Sequence, residues 1–492
     1  MGIEIEDKFD VPADYELPDL SGLGEVTGPR SHRLVALYYD TPDLRLAARG
    51  VTLRRRRGGD DPGWHLKLPE AKGARREITH PLTRSTKIVP AELAELVRAY
   101  ARGAELVAVA ELETRRSVTV LGEDGTGLVE IADDRVKGTV LGAEPRVVRW
   151  REVETELLEG GTKKLLKKVG KRLRAAGAVP SRASSKLARL IEPAPPPVAA
   201  VKPGSAGEVV LAYLAGQVRA LLAQDPRVRR AEEDAVHQMR VAARRLRSAL
   251  KAFRTVVTGT RGVQDELRRL GNVLGEARDL EVIRARFATA LKSLEPELIV
   301  GDVETRLGAG LMERERQAYE RIREELSGER YYRLLDALDA LLAAPELGKA
   351  AAEPAQEKLR DIAGANWERV VTAYERAQAI DDPERREIAM HDVRKAAKRA
   401  RYTAEALRPS LGADMGALAG LAEDVQEALG AYQDGVVAQE LLAREAASAR
   451  EAGADTFTYG LLIGLERAAA ECAHAGFPKV WKKTRKAVER IL

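Results

Sequence analysis

Glu4, Glu6 and Lys8 alternate along Gly2-Ile-Glu-Ile-Glu-Asp-Lys-Phe9. On a strand, the two carboxylates and the ammonium share one face, leaving Ile3, Ile5 and Phe9 for packing. Carboxylate oxygens suit Mg²⁺ or Mn²⁺, which bridge phosphate oxygens, and a lysine adds a point charge for the same anion. The alternation recurs downstream. Arg54 and Arg56 share a face, as do His65 and Lys67, then Arg75 and Glu77; Glu152, Glu154 and Glu156 form a second acidic row. Glu130 and Asp134 face the same way if their strand continues, with Asp133 competing with Asp134 for the role. Any strand with one wet face can show a single such row. Rows of both signs on several strands of one barrel imply a wet lumen holding a charged ligand, because burying those charges unpaired is costly.

These side chains need strands to position them. Short alternating runs occur at 2–9, 33–40, 51–57, 64–68, 75–81, 112–121, 127–132 and 147–157, and turn-forming residues at 58–63 and 122–125 mark hairpins. Helical insertions are expected at 90–102 and 161–176. Eight strands with meander-like spacing predict an antiparallel barrel or deeply curved sheet. Residues 193–205 are a proline-rich linker, and 206–492 has helical periodicity with few strand signals, which predicts an all-α domain.

The helical region repeats itself. His237-Gln-Met-Arg240-Val-Ala-Ala-Arg244-Arg-Leu-Arg247 matches His391-Asp-Val-Arg394-Lys-Ala-Ala-Lys398-Arg-Ala-Arg401 at an offset of 154 residues. Leu274-Gly-Glu-Ala-Arg-Asp279 matches Leu429-Gly-Ala-Tyr-Gln-Asp434 at 155. Two motifs at one offset define two halves, about 206–345 and 355–490. On a helix, each set of histidine and basic residues forms one stripe. One stripe would be an ordinary solvated face; two copies read as two halves of a single positive surface. Asp279 and Asp434 are expected to orient basic side chains or cap helices.

Composition narrows the classes. The chain's 492 residues imply two or three domains. The net charge of +5 is modest, so clustering of the basic residues matters more than their excess. Aromatic residues are only 4%, which argues against a surface built on base stacking and disfavours nucleic acid as the ligand. A single cysteine, Cys472, excludes a disulfide framework or a Cys-rich zinc site. His65 and His80 read as ordinary histidines, with no second ligand at helical or strand spacing. No uninterrupted apolar run of membrane-span length and no secretory signal are read, so a cytoplasmic location without a membrane partner is expected. No G-x-x-x-x-G-K-[ST] loop is present, which excludes a Walker-type site.

Glu4-x-Glu6-x-Lys8, Tyr38-Tyr-Asp-Thr41 with Leu53-Arg-x-Arg56, Lys67, Glu130 with Asp133-Asp134, Glu154-x-Glu156 and Ser185-Lys186 together resemble the CYTH family. That family takes in class IV adenylate cyclases, thiamine triphosphatases and inorganic triphosphatases, built on a triphosphate tunnel. The resemblance spans 1–192. It implies Glu4, Glu6, Glu154 and Glu156 as metal ligands, with Glu130 and Asp134 nearby. It further implies Lys8, Arg54, Arg56, Lys67, Arg75, Arg116 and Lys186 as the phosphate cradle, with Glu4, Glu6, Lys8 and Arg56 carrying catalysis. Strand register decides between Arg115 and Arg116. His65 stands where family members often have threonine.

The repeated stripes of 206–492 resemble the CHAD domain, an α-helical domain that often follows CYTH and is associated with polyphosphate. This resemblance implies His237, Arg240, Arg244, Arg247, His391, Arg394, Lys398 and Arg401 as polyphosphate-binding residues. The expectation is therefore a multidomain α+β chain: an eight-stranded barrel that hydrolyses inorganic tripolyphosphate with Mg²⁺ or Mn²⁺, and a helical domain that binds long-chain polyphosphate, with location on polyphosphate granules as a corollary. A flat apolar ring platform is scarce, which ranks thiamine triphosphate, nucleotides and a cyclase activity lower. The alternative is a non-catalytic polyphosphate-binding protein.

Overall fold

The computed structural model describes residues 2–71, 74–142 and 144–492, with side chains for all of these except 2–4 and 71. The chain divides into two compact units, Met1–Pro196 and Pro197–Leu492.

The first unit is built on β1 Gly2–Val11, β2 Glu25–Asp40, β3 Thr52–Arg57, β4 Gly63–Ala71, β5 Ala74–His80, β6 Val107–Glu123, β7 Thr126–Val140 and β8 Arg146–Leu157. They pair antiparallel in the order β5-β4-β3-β2-β6-β7-β8-β1, and β1 pairs back onto β5 to close an eight-stranded barrel. A two-residue β9, Val179–Pro180, adds to β1. Several strands run longer than their alternation predicts. β7 continues through Asp133–Val140 and β2 begins at Glu25, because cross-strand partners satisfy their backbones even where the side chains are exposed.

The helices of this unit are α1 Ala91–Leu96, α2 Arg98–Ala101, α3 Lys163–Ala175 and α4 Lys186–Ile191. The single helix expected over 90–102 is thus two short ones, broken at Val97. Thr162 caps α3, its hydroxyl accepting from the Leu165 amide, and the buried face Leu166, Val169 and Leu173 covers Phe9, Val129, Ile131 and Val153 on the barrel's outer wall. Each such side chain fully buried contributes about 1.5–3 kcal/mol. Leu187 and Leu190 of α4 pack with Leu112 and Val136, so apolar side chains fill one end of the interior and charged ones occupy the rest.

The second unit contains α5 Ala206–Arg229, α6 Ala235–Ala252, α7 Arg261–Lys292, α8 Val303–Thr305, α9 Leu311–Ser327, α10 Glu329–Ala343, α11 Ala355–Gln378, α12 Pro383–Leu411, α13 Ala413–Glu451 and α14 Phe457–Val488. One part of its core joins Phe287 of α7, Leu442 of α13 and Tyr459 of α14. Among the described residues one helix, α5, has the length and mean hydropathy (1.3) of a membrane span, although Arg219 and Asp225 interrupt its apolar run and half of that window is buried inside the protein. Val210, Leu214, Val218 and Leu221 of α5 are buried, as in a core helix.

Candidate triphosphate tunnel and basic helical cleft

Strand register sorts the charged residues of the barrel. Glu6 of β1 lies opposite Glu156 of β8, and Glu156 lies opposite Glu130 of β7, so three carboxylates form one row across three strands. Lys8 lies opposite Glu154 and Arg116 opposite Asp134. Glu6, Lys8, Arg54, Arg56, Lys67, Arg75, Arg116, Glu130, Glu154, Glu156 and Lys186 all line one cavity of about 270 Å³. Arg116, rather than Arg115, faces inward. The Glu4 side chain lies outside the described residues; its backbone pairs with Arg75.

Glu154 is held by three cations: Lys8 Nζ at 2.6 Å, Lys186 Nζ at 2.6 Å and Arg116 Nη2 at 2.9 Å. Burial works against its charged form, yet Lys186, Lys8 and Arg116 overcome this and hold the carboxyl well below the usual carboxylate range. Lys186 sits in the first turn of α4, where the Ser185 hydroxyl accepts from the Ala188 amide at 3.0 Å. That cap aims the ammonium inward, to Asp134 at 2.9 Å and Glu152 at 2.8 Å. Burial alone would depress Lys186 and Lys8, but their carboxylates raise both.

Asp134, expected near the metal, has with Glu152 and Glu154 ligand atoms close enough to share a cation, and cationic side chains surround it. Arg116 grips it in a fork, Nε at 2.8 Å and Nη2 at 2.7 Å, Lys186 adds a third contact, and the side chain is fully buried outside the cavity lining. It fixes Arg116 and Lys186. Strand alternation could not show these contacts, because Arg116 lies on β6 and Lys186 on α4. Asp133 turns outward to Arg151, at 2.7 Å.

The remaining acidic row differs. Among the described residues Glu130 and Glu156 have no ion pair within 4 Å, and Glu6 has only Lys8, at 3.2 Å. Burial, with Glu6, Glu130 and Glu154 as like-charged neighbours, pushes the Glu156 carboxyl up despite the opposing Lys67. Neighbouring carboxylates without cationic partners are the donor set a hard divalent cation would relieve. On the basic wall, Arg54 Nε is buried without a hydrogen-bond partner, and its Nη1 reaches only the Tyr38 hydroxyl, at 3.5 Å. Both observations fit a metal-bound anion between the two walls.

His65 is more than an ordinary histidine. Fully buried, it places Nδ1 2.9 Å from Glu77 Oε1 and Nε2 3.2 Å from the Asp61 carbonyl. Asp61, His65 and Glu77 have ligand atoms close enough to share a cation. Spacing along one strand could not reveal this, because Glu77 comes from β5 and Asp61 from the β3–β4 turn. Arg56 is tied to that turn through the Asp61 carbonyl and carboxylate, at 2.7 and 2.9 Å.

In the helical unit, α6 and α12 share a basic cleft. Arg240, Arg244, Arg247, His391, Arg394 and Lys398 line a cavity of about 390 Å³. An adjoining one of about 1050 Å³ adds His237 to Arg240, Arg244, Arg394 and Lys398. Among the described residues Arg244 Nε, Arg394 Nε and His391 Nδ1 are buried without hydrogen-bond partners. Burial, then Arg244, Arg394 and Arg240, lower Lys398 to about 8. Burial and nearby cations also lower both histidines, His237 and His391. A cleft this crowded with cations favours an anion across it.

Arg401 is an exception to the expected surface. It pairs with Glu405 at 2.7 Å and Glu423 at 2.8 Å and lines neither cavity. The halves diverge here, since the position matching Glu405 in the first half is Lys251, which lines the cleft. Lys251 could have been found by extending the α6 stripe one turn beyond Arg247. Asp279 accepts from Arg240 at 2.8 Å. Gly275 and Gly430 carry a role that the repeat did not disclose: a Cβ on either would meet the guanidinium of Arg240 or Arg394 at 3.3 or 3.1 Å.

A CYTH domain matches residues 2–191 and a CHAD domain residues 212–443. An uncharacterized protein of Mycobacterium tuberculosis (strain CDC 1551 / Oshkosh) is 39% identical over 509 residues, covering 99% of this chain and 97% of that one. One from strain ATCC 25618 / H37Rv is 38% identical with the same coverage. Among solved structures, PptA from Streptomyces chartreusis is similar with a TM-score of 0.47 and 23% identity, over 56% of this chain and 99% of that chain. The CHAD domain from the plant Ricinus communis follows at 0.45 and 26%, over 57% and 95%. With both domains in order and relatives matched along nearly their whole length, the chain belongs to the two-domain family in which a CYTH tunnel domain is followed by a CHAD domain.

Proposed function

We propose that the barrel hydrolyses a phosphoanhydride bond of inorganic tripolyphosphate with Mg²⁺ or Mn²⁺, and that the helical unit binds long-chain polyphosphate. The carrying observation is the Glu6–Glu156–Glu130 row sharing one cavity with Lys8, Arg54, Arg56 and Arg116. Glu6, Glu130 and Glu156, joined by Glu4 if its side chain follows the alternation, would hold the metal. A divalent ion bound there neutralises phosphate oxygens and lowers the pKa of a bound water.

The protein's own contribution is positioning and charge. Arg54, with its unpartnered Nε, and Arg56 offer guanidinium forks to phosphate oxygens, while Lys8, Lys67 and Lys186 add point charges. Hydrolysis adds water across the anhydride: the new oxygen bonds to the terminal phosphorus, the P–O bridge breaks, and phosphate and pyrophosphate leave. Negative charge grows on the bridging oxygen, where preorganised cations stabilise it most. Tripolyphosphate is favoured over a nucleotide or thiamine ester because Phe9 and Trp64 are buried in the core and Tyr38 is buried beside Arg54.

The test is phosphate release from tripolyphosphate, ATP, thiamine triphosphate and long-chain polyphosphate, with and without Mg²⁺ or Mn²⁺. Selective metal-dependent release from tripolyphosphate is the expected result. Silence on all four would sink the hydrolase.

A further inference from the structure

The outward-facing residues of the barrel carry a second pattern. Arg33 of β2 lies opposite Arg115 of β6, Arg115 opposite Arg135 of β7, and Arg135 opposite Arg151 of β8. Four arginines therefore stand in one unbroken row across four neighbouring strands. With strands about 4.8 Å apart, the row spans roughly 14 Å. Like charges directly opposite on a sheet repel, so the arrangement calls for something anionic above it.

Counter-charges on this face are too few. Glu113 accepts from Arg33 at 3.3 Å and from Lys137 at 2.8 Å, and Asp133 takes Arg151. Arg115, Arg135 and Arg149 are exposed and have no carboxylate within 4 Å among the described residues. Together the row borders a groove of about 800 Å³ on the outside of the barrel. The part of the outer wall around Phe9, Val129 and Val153 is covered by α3; the arginine row is left to solvent and positive charge.

We propose that this arginine row is a second polyanion-binding track, separate from the tunnel and from the helical cleft, and that its ligand is inorganic polyphosphate. The choice of polyphosphate over nucleic acid rests on the groove's rings. Single-stranded nucleic acid is held by stacking bases on open aromatic faces. Among the described residues Trp150 is the one ring that lines the groove, and it is covered by the Arg189 guanidinium at 5.4 Å, while Tyr15, behind Arg151, is buried in the core. What remains is a line of guanidinium forks with nothing to read a base, which suits a flexible chain of phosphates. The track goes beyond the proposed function and shares with it only the ligand.

The test uses the full-length chain carrying Arg240→Gln and Arg394→Gln, which weakens the helical cleft and isolates the barrel's contribution. Titration with long-chain sodium polyphosphate should show residual, salt-sensitive binding. Adding Arg115→Ala and Arg135→Ala should weaken it at least about fivefold and flatten the slope of log affinity against log salt by about 1.4, from roughly 0.7 per lost contact. Arg115→Lys with Arg135→Lys should retain most of the affinity, and Arg149→Ala should give a smaller loss. Thermal melts report folding, and phosphate release from tripolyphosphate, the activity proposed for the tunnel, should not change. Absence of residual binding, or affinity unaffected by the alanine pair, would overturn the track. So would single-stranded nucleic acid of matched charge displacing polyphosphate at equal concentration. None of the binding outcomes depends on whether the tunnel is catalytic.

Discussion

Gly430 faces Arg394 so closely that a Cβ on the glycine would lie 3.1 Å from the guanidinium Nη2. Gly275 stands in the same relation to Arg240, at 3.3 Å. Both glycines lie inside long helices, α13 and α7, where glycine costs about 1 kcal/mol relative to alanine. The repeated motif keeps that cost in both halves, and in both it seats an arginine flat against a neighbouring helix.

Gly430→Ala and Gly275→Ala should therefore separate stability from binding. The guanidinium can swing aside, so the melting temperature should hold or rise, with a helix-propensity gain of up to about 1 kcal/mol per site. Polyphosphate affinity should fall several-fold, because the displaced arginine no longer points into the cleft. Titration beside a thermal melt checks both; unchanged affinity would show the seats to be dispensable.

Removing the acidic row should stop chemistry without unfolding the barrel. Glu6→Ala or Glu156→Gln is expected to lower phosphate release at least about 100-fold, the scale of losing one transition-state electrostatic element. Among the described residues Glu156 has no ion pair to lose, and its carboxyl is raised by burial and like-charged neighbours, so Glu156→Gln should leave stability unchanged or slightly higher. Phosphate release and denaturant midpoints measured on the same preparations decide this.

Lys186 is structural as well as phosphate-facing. Lys186→Met would leave Asp134, Glu152 and Glu154 short of a buried cation, a loss on the order of 3–5 kcal/mol. Urea unfolding should show a lower midpoint with an unchanged slope.

The same network sets an acid limit. Glu154 and Asp134 are depressed in the folded protein from ordinary values of 4.5 and 3.8. Their stabilisation is complete above those values and is lost as pH falls through the folded ones. Lys8 and Lys186 are raised from 10.5, so their share is complete below that pH and lost above it. Stability of the barrel should form a plateau between about pH 5 and 10 and fall on both sides. Thermal melts across this range would test it, and a decline beginning near neutrality would contradict it.

Polyphosphate binding should weaken as pH rises through about 8, where Lys398 of the free protein loses its proton. A bound polyanion favours the ammonium, so binding in this window takes up a proton. Lys398→Arg should flatten the profile between pH 7 and 9. Calorimetry in buffers of different ionisation enthalpy measures the proton uptake directly.

The sequence alone determined the two-part architecture, because strand and helix periodicities are local and change at the proline-rich stretch. It also determined which strands carry charge on one face, since alternation is a property of a single strand. Much of the tunnel was legible for that reason: Glu6, Lys8, Arg54, Arg56 and Lys67 needed only their own spacing. Tertiary structure decided everything that depends on register between strands or contact between helices. It placed Glu6, Glu156 and Glu130 side by side, set Asp134 against Arg116 and Lys186 and beside Glu152 and Glu154, and brought Glu77 and Asp61 to His65. It drew Arg401 out of the basic cleft through Glu423, which lies on α13, together with Glu405. It aligned Arg33, Arg115, Arg135 and Arg151, which lie far apart in sequence and share a row only when four strands pair. A charge's partner is chosen by distance through space, and sequence spacing fixes that distance only within one element.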